Sequence, residues 1–354
     1  MAGMRISILD QAPIADTGSG GQALRNSLDL AVLADSLGFH RFWMAEHHAT
    51  PALASASPEL LLAALGTATR RIRLGSGGVM LPHYSPFKVA ENFSMLSGLF
   101  PGRIDLGLGR APGSDQLTAF ALQQDRRQRA PNAFPEQLHE LLGYFDASLP
   151  EEHPFRHLAA TLPGGVEQPE IWLLGSSPDS AILAGALGLP YCIADFIAGE
   201  VPQLADLYRQ HFRPSPRAAA PQLMLCCWLV ASETAAEAER LAASARMLMV
   251  LLRQGRLIAV PDPETALAWV ADHDGGAGGA SRNTSRNTIT GTAADCRAAL
   301  LRKAELYGAG ELMLVNILHD HQARLESYRL MAAALGDLLS SGTETTTGAT
   351  QPGP

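Results

Sequence analysis

A chain of 354 residues, 47% hydrophobic and 18% charged, can fill a large core without disulfides or a structural metal. With 35 acidic against 27 basic residues it lacks the balance of a nucleic-acid surface, while single arginines leave small anionic ligands open. No early basic-then-apolar leader and no apolar run of bilayer length is present, so a cytoplasmic protein without membrane or nucleic-acid partners is expected.

Short β-rich runs alternate with longer amphipathic segments, the pattern of βα units around a parallel sheet. Arg5 to Leu9 reads as the first strand. After a Gly-rich turn at 17–21, Leu24, Leu28, Ala31 and Val32 mark one face of a helix. His40 to Ala45 is the second strand and runs into Glu46-His47-His48. Ser57-Pro58 opens the next helix, with the serine as cap and the proline at the first position, where no amide hydrogen is needed. Ile72 to Gly77 gives the third strand, Ser85-Pro86 another helix start, and Arg103 to Gly109 the fourth strand, followed by Arg110. A polar stretch holding Arg126, Arg127 and Arg129 precedes a helix over Phe134 to Phe145. Glu170 to Leu174 is the fifth strand and leads through Gly175-Ser176-Ser177-Pro178-Asp179-Ser180 into its helix. Tyr191 to Ala194, Gln222 to Ala231 and Glu311 to Ile317 are the remaining strands. Leu325, Tyr328, Met331, Leu335 and Leu338 give the last helix its apolar stripe.

About eight strands, each followed by a helix, predict a TIM (β/α)8 barrel as a single domain over residues 1–339, with a doubly wound sheet as the competitor. Residues 275–287 are rich in Gly, Ser and Asn and are expected to form a mobile insertion loop before the last βα unit, a lid or a disordered insertion. The Thr/Gly/Pro-rich segment 340–354 is expected to be disordered. Cys192, Cys226, Cys227 and Cys296 contain no CxxC pair and read as buried free thiols.

In a parallel barrel the functional residues sit at the C-terminal strand ends. At the second strand's end, alternation places Glu46 and His48 on one side and His47 on the other. A histidine there suits a general base, and paired histidines also suit a metal, as in barrel hydrolases. The other strand ends offer glycine, serine and arginine rather than further ligands, so no metal is expected. Gly77-Gly78 marks a backbone with unusual dihedrals or a close approach to a ligand. Arg110, beside Gly107 and Gly109, suits a phosphate or carboxylate, or a surface pair with Asp115. The Ser176–Ser180 turn offers amide hydrogens, hydroxyls and a helix dipole to an anion, or Ser177 caps its own helix. His319-Asp320-His321 reads as a helix cap with surface charge.

Taken together, FWMAEHHATP (42–51), RRIRLGSGGVMLPHYSPFKVAEN (70–92), PGRIDLGLGRAPGSD (101–115), LLGSSPDSA (173–181), ITGTAADCRAAL and ELMLVNILHD resemble the bacterial-luciferase-like monooxygenases over residues 5–339. The likeness is closest to a subgroup with tailoring oxygenases of aromatic polyketide (antibiotic) biosynthesis. It implies a flavin-dependent oxidoreductase, a homodimeric TIM barrel. Such an enzyme takes reduced FMN from a separate NAD(P)H flavin reductase and uses dioxygen to oxygenate an organic substrate. It implies His47 as the acid–base group near the flavin and a non-prolyl cis peptide at Gly77-Gly78 under the ring. It also implies a phosphate site made by Arg110 and by Ser176, Ser177 and Ser180 with Asp179. A second phosphate arginine of luciferase aligns near Asn132, leaving Arg127 or Arg129 to replace it. Deazaflavin (F420)-dependent oxidoreductases share the barrel and are the runner-up. A non-catalytic flavin-binding protein and a metallohydrolase using His47 and His48 are the readings from other classes.

Overall fold

The computed structural model describes residues 3–110, 116–122, 133–273 and 288–339. Its strands are β1 (Arg5–Asp10), β2 (Arg41–Met44), β3 (Arg73–Met80), β4 (Ile104–Gly109), β5 (Glu170–Gly175), β6 (Tyr191–Ala194), β7 (Leu223–Ser232), β8 (Thr288–Thr292) and β9 (Glu311–Val315). All neighbours pair in parallel. The strands β1 to β6 follow one another, β7 joins β6, and β9 joins both β7 and β1, which closes an eight-stranded ring. Parallel neighbours require crossovers, supplied by α1 (Gly20–Leu37), α2 (Pro58–Ala68), α3 (Pro86–Leu99), α4 (Gln116–Leu122), α5 (Phe134–Asp146), α6 (Pro178–Ala186), α7 (Asp195–Ala198), α8 (Gln203–His211), α9 (Ala235–Arg253), α10 (Pro263–His273) and α11 (Ala293–Tyr307). Two further helices, α12 (His321–Ala334) and α13 (Gly336–Leu339), follow the last strand. The architecture is the TIM barrel expected from the strand and helix alternation.

Two details differ from the sequence reading. Thr288–Thr292 is a strand, with only Ile289 and Gly291 buried, and one large apolar residue is too little for an alternation to show. It pairs with Trp228–Ser232, the part of β7 that continues past its pairing with β9. In α1 the buried face is Ala23, Ser27, Leu30, Ala31 and Ala34, whereas Val32 is 46% exposed. Small residues let this helix lie close to the barrel, and Ser27 is buried because its hydroxyl donates to the Ala23 carbonyl. The predicted insertion and tail (275–287 and 340–354) lie outside the described residues, as do Asp115, Arg126, Arg127, Arg129 and Asn132. The predicted stripe of the last helix is buried from Leu325 to Leu338.

The period-2 alternation of the strands sorts the apolar residues into two cores. Outward residues such as Ile6, Phe42, Leu106, Ile171 and Leu225 pack against the helices. Inward residues Leu9, Trp43, Trp172, Cys192, Met224 and Met313 fill the barrel, with the Trp43 and Trp172 rings edge to face at 5.8 Å. All four cysteines are free and buried, and burial pushes the thiols of Cys192, Cys226 and Cys227 well up.

Beneath the tryptophans lies a charge cluster at the strands' N-terminal end. Arg41, 1% exposed, pairs with Asp105 at 2.9 Å, Glu311 at 3.0 Å and Glu170 at 3.1 Å, and its guanidinium lies 4.9 Å from the Trp172 ring. Arg73 joins Asp105 and Glu170, the Trp43 indole donates to Asp105 at 2.9 Å, and Ser7 donates to Glu311. The base of the barrel is therefore sealed by paired charge, and any opening lies at the other end.

Candidate active site

The C-terminal ends of β2, β3, β4 and β5 meet around one cavity of about 230 Å³. Strand alternation continues past β2: Trp43, Ala45 and His47 face inward, whereas Glu46 and His48 turn outward and bind each other at 2.7 Å. His47 lines the cavity with its Nε2 3.3 Å from the Gln11 amide nitrogen, and its backbone N–H donates to the Ser55 carbonyl at 2.8 Å. Burial and the neighbouring His48 push the His47 imidazole down to about 4, so the ring is neutral at pH 7.

Gly77 and Gly78 are joined by a cis peptide bond, and both line the cavity beside His47. A Cβ on Gly78 would stand 2.8 Å from the Gly107 carbonyl oxygen, and one on Gly77 would stand 2.6 Å from a Leu9 methyl. The first obstacle is backbone and cannot swing aside. The β3–β4 register shifts between Ser76 and Val79, which is where these two residues lie. Substituting Gly78→Ala is expected to lower the melting temperature by several degrees and to abolish ligand binding at the cavity, because either β3 or β4 must move. Circular dichroism melting with a flavin titration checks this; unchanged binding would show that the strands can separate freely.

Arg110 follows β4, is 46% exposed, and stands 3.7 Å from the Asp179 carboxylate, an exposed pair of little energetic weight. At the end of β5, Ser177 caps α6: its hydroxyl accepts from the Ser180 N–H, while the Ser180 hydroxyl receives the Ser177 N–H at 3.3 Å and meets the Tyr191 hydroxyl at 2.8 Å. Capping and the cavity are therefore not exclusive. Ser176, Ser177 and Ser180 all line the cavity with Arg110, though the hydroxyls of the last two serines are engaged at the helix start.

The structure thus brings His47, Gly77, Gly78, Arg110, Ser176, Ser177 and Ser180 to one place. Sequence reasoning missed Gln11, Phe196, Ile197 and Met313, which line the same cavity. Gln11 follows β1 and Phe196 follows β6, so their position at strand ends was the available signal. Phe196 packs edge to face with Trp228 at 6.2 Å. The segment carrying it is held to α11, where buried Asp195 accepts from Lys303 at 2.9 Å and from Tyr307 at 2.9 Å. Asp320 caps α12 by accepting the Ala323 N–H at 2.7 Å, and His319 and His321 pair with Asp16 and Asp29. Among the described residues no group of three or more His, Cys, Asp and Glu side chains is placed to hold a metal ion, and no helix is long and apolar enough to cross a membrane.

A closed parallel barrel that gathers polar side chains from several strand ends at its C-terminal mouth has the layout of the TIM-barrel enzymes. Comparison with known proteins narrows this: residues 4–310 match the luciferase-like monooxygenases, and the chain belongs to that family. It is 40% identical to a luciferase-like monooxygenase of Escherichia coli (strain K12) over 94% of this chain and 97% of the relative. It is 36% identical to the N-acetyl-S-alkylcysteine monooxygenase of Bacillus subtilis (strain 168), over 94% of this chain and 98% of the relative. The crystal structure of apo-MsnO8 superimposes with a TM-score of 0.84 at 37% identity, covering 95% of this chain and 98% of that one.

Proposed function

We propose that this family member is a two-component flavin-dependent monooxygenase, which binds reduced FMN delivered by a separate NAD(P)H flavin reductase and oxygenates an organic substrate with dioxygen. The observation that carries the reading is the convergence of His47, Gly77, Gly78, Arg110 and the Ser176–Ser180 turn on a single cavity. The residues suit a flavin. Gly77 and Gly78 leave bare backbone where a flat ring needs close approach, Leu9, Leu174 and Phe196 supply apolar wall, and Arg110 stands half-exposed at the mouth for a phosphate. The start of α6 directs its dipole at the same point. Bound reduced FMN supplies the electrons that oxygen chemistry requires.

The chain's own residues bind, orient and move a proton. The Gln11 side-chain amide stands 3.3 Å from His47 Nε2 and orients the ring, and a neutral imidazole can take up a proton at its bare nitrogen and give one from the other. The apolar wall excludes water from the reacting atoms. Monooxygenase relatives in Escherichia coli and Bacillus subtilis support the reaction class. The substrate is proposed to be an organic metabolite, with a tailoring role in polyketide (antibiotic) biosynthesis as the specific setting, and the protein to act in the cytoplasm as a homodimer. Exposed Leu60 of α2 and Met95 and Leu99 of α3 are apolar surface that a second copy would cover.

Titration of the protein with FMN and with a deazaflavin, followed by oxygen uptake with reduced FMN, tests the proposal. Tight FMN binding with substrate-dependent oxygen consumption is expected. Arg110→Ala is expected to weaken FMN binding by about 10- to 100-fold, the effect of losing a charge-assisted hydrogen bond. Preference for the deazaflavin without oxygen uptake would make the chain a deazaflavin oxidoreductase, and flavin binding without turnover would make it a binding protein.

A further inference from the structure

The side of β2 that faces away from the cavity carries an arrangement for which proton transfer at His47 has no direct use. Glu46 is fully buried, and its carboxylate accepts three hydrogen bonds. One oxygen receives the Tyr84 hydroxyl at 2.8 Å and meets His48 Nε2 at 2.7 Å; the other receives the backbone N–H of Met80 at 3.0 Å. These partners belong to different pieces of the site. Met80 ends β3 two residues after Gly78, lines the cavity, and is paired in register with Gly109, the residue before Arg110. Tyr84 lies in the following segment, and its carbonyl accepts from Gln137 of α5 at 3.3 Å. The titratable groups around the carboxylate are His48 next to it, Glu59 of α2, and His83 and Tyr84 after β3; the His48 and His83 rings stand 5.8 Å apart. A buried carboxylate with three donors is costly to place and persists where its partners hold it.

We propose that Glu46 is a positioning residue, whose carboxylate ties the strand end carrying His47 to the β3 segment carrying Gly77 and Gly78 and, through Met80 and Gly109, to Arg110. His47 projects to the opposite side of the same backbone, so a change in the clamp moves the imidazole relative to the cavity floor without touching either. The proposal rests on the flavin reading for its catalytic consequence, but the clamp itself is testable without turnover.

Three measurements on Glu46→Gln decide it: hydrogen exchange at the Met80 amide, FMN affinity, and steady-state kinetics. Glutamine keeps the size but replaces one acceptor oxygen by an amide that only donates, so the Met80 N–H and the Tyr84–His48 pair are served together only if the hydroxyl and the ring reverse their roles. The Met80 amide is expected to lose its protection, and FMN binding to weaken about tenfold. kcat, counted per site that binds FMN at saturation so that unfolded protein does not enter, is expected to fall by about tenfold or more while the KM for the organic substrate stays within about twofold. Should Glu46→Gln fail to fold, Glu46→Asp serves in its place, since it keeps the charge but withdraws the carboxylate from Met80, and the same loss of protection and affinity is expected. A folded variant of either kind with a protected Met80 amide and wild-type FMN affinity overturns the proposal. Absence of oxygenation by the wild-type protein would instead overturn the functional reading, leaving the Met80 exchange to judge Glu46.

Discussion

Replacing His47 by alanine is expected to lower kcat by about 100- to 10,000-fold, the range lost when a positioned general acid–base is removed, while FMN affinity changes by less than about threefold. The separation of the two effects follows from geometry. His47 reaches the cavity from β2, whereas the proposed phosphate contacts come from Arg110 after β4 and from the start of α6. Paired flavin titration and oxygen uptake measure both. Equal loss of binding and turnover would mean that the imidazole holds the ligand rather than moving protons. The acid limb gives a second check. Burial and His48 hold His47 at about 4, below its ordinary 6.5, so the unfolded chain takes up a proton before the folded one does. The stability linked to the neutral ring is present above about 6.5 and declines as pH falls through the window down to about 4. His47→Gln, which cannot protonate, is expected to lose less stability than the wild type across that window.

The largest effect on folding is expected at Arg41. Methionine there removes the cation shared by Asp105, Glu170 and Glu311, leaving Arg73 to serve the first two and the Ser7 hydroxyl as the partner of Glu311. Breaking a buried ion pair from one side costs about 3–5 kcal/mol, enough to threaten a fold of ordinary stability. The sign of the pH dependence follows from the carboxylates. Burial opposes ionisation of Asp105, but Arg41 and Arg73 outweigh it and hold its carboxyl below the usual range; for Glu311 burial prevails and pushes it up even with Arg41 beside it. The depressed Asp105 stabilises the wild type above its unfolded value near 3.8, and that contribution fades as pH falls below it. Without Arg41 both groups move upward and protonate sooner. The deficit of Arg41→Met should therefore shrink as pH is lowered from 7, as read by urea unfolding at each pH. A constant deficit would mean that the loss is one of packing against Trp172 rather than of charge.

The features legible in the sequence were those with a local signature. Alternating β-rich runs, Ser-Pro helix starts at Ser57, Ser85 and Ser177, and the apolar stripe from Leu325 to Leu338 all correspond to elements of the structure, although of the three serines only Ser177 caps through its side chain. The position of His47, Arg110 and the serine turn at strand ends followed from parallel topology, so their meeting at one cavity could be anticipated. What stayed hidden depends on distant residues coming together. Arg41 and Glu311 are 270 positions apart, and neither has a local pattern that marks it as a partner. Glu46 could be assigned to the outward side of β2, but its grip on the Met80 amide depends on the path of β3 after Gly78. The strand Thr288–Thr292 was missed because its neighbour, the far end of β7, supplies the reason for it to be extended.

That far end also shapes access. β6 stops opposite Cys226 and β9 opposite Trp228, yet β7 runs on to Ser232 with β8 alongside. At about 3.3 Å per residue, four further residues add about 13 Å of two-stranded wall to one side of the mouth. Among the described strands, the rim is therefore raised at β7. On the proposed function, this extension would shelter the β7 side of a bound flavin from water.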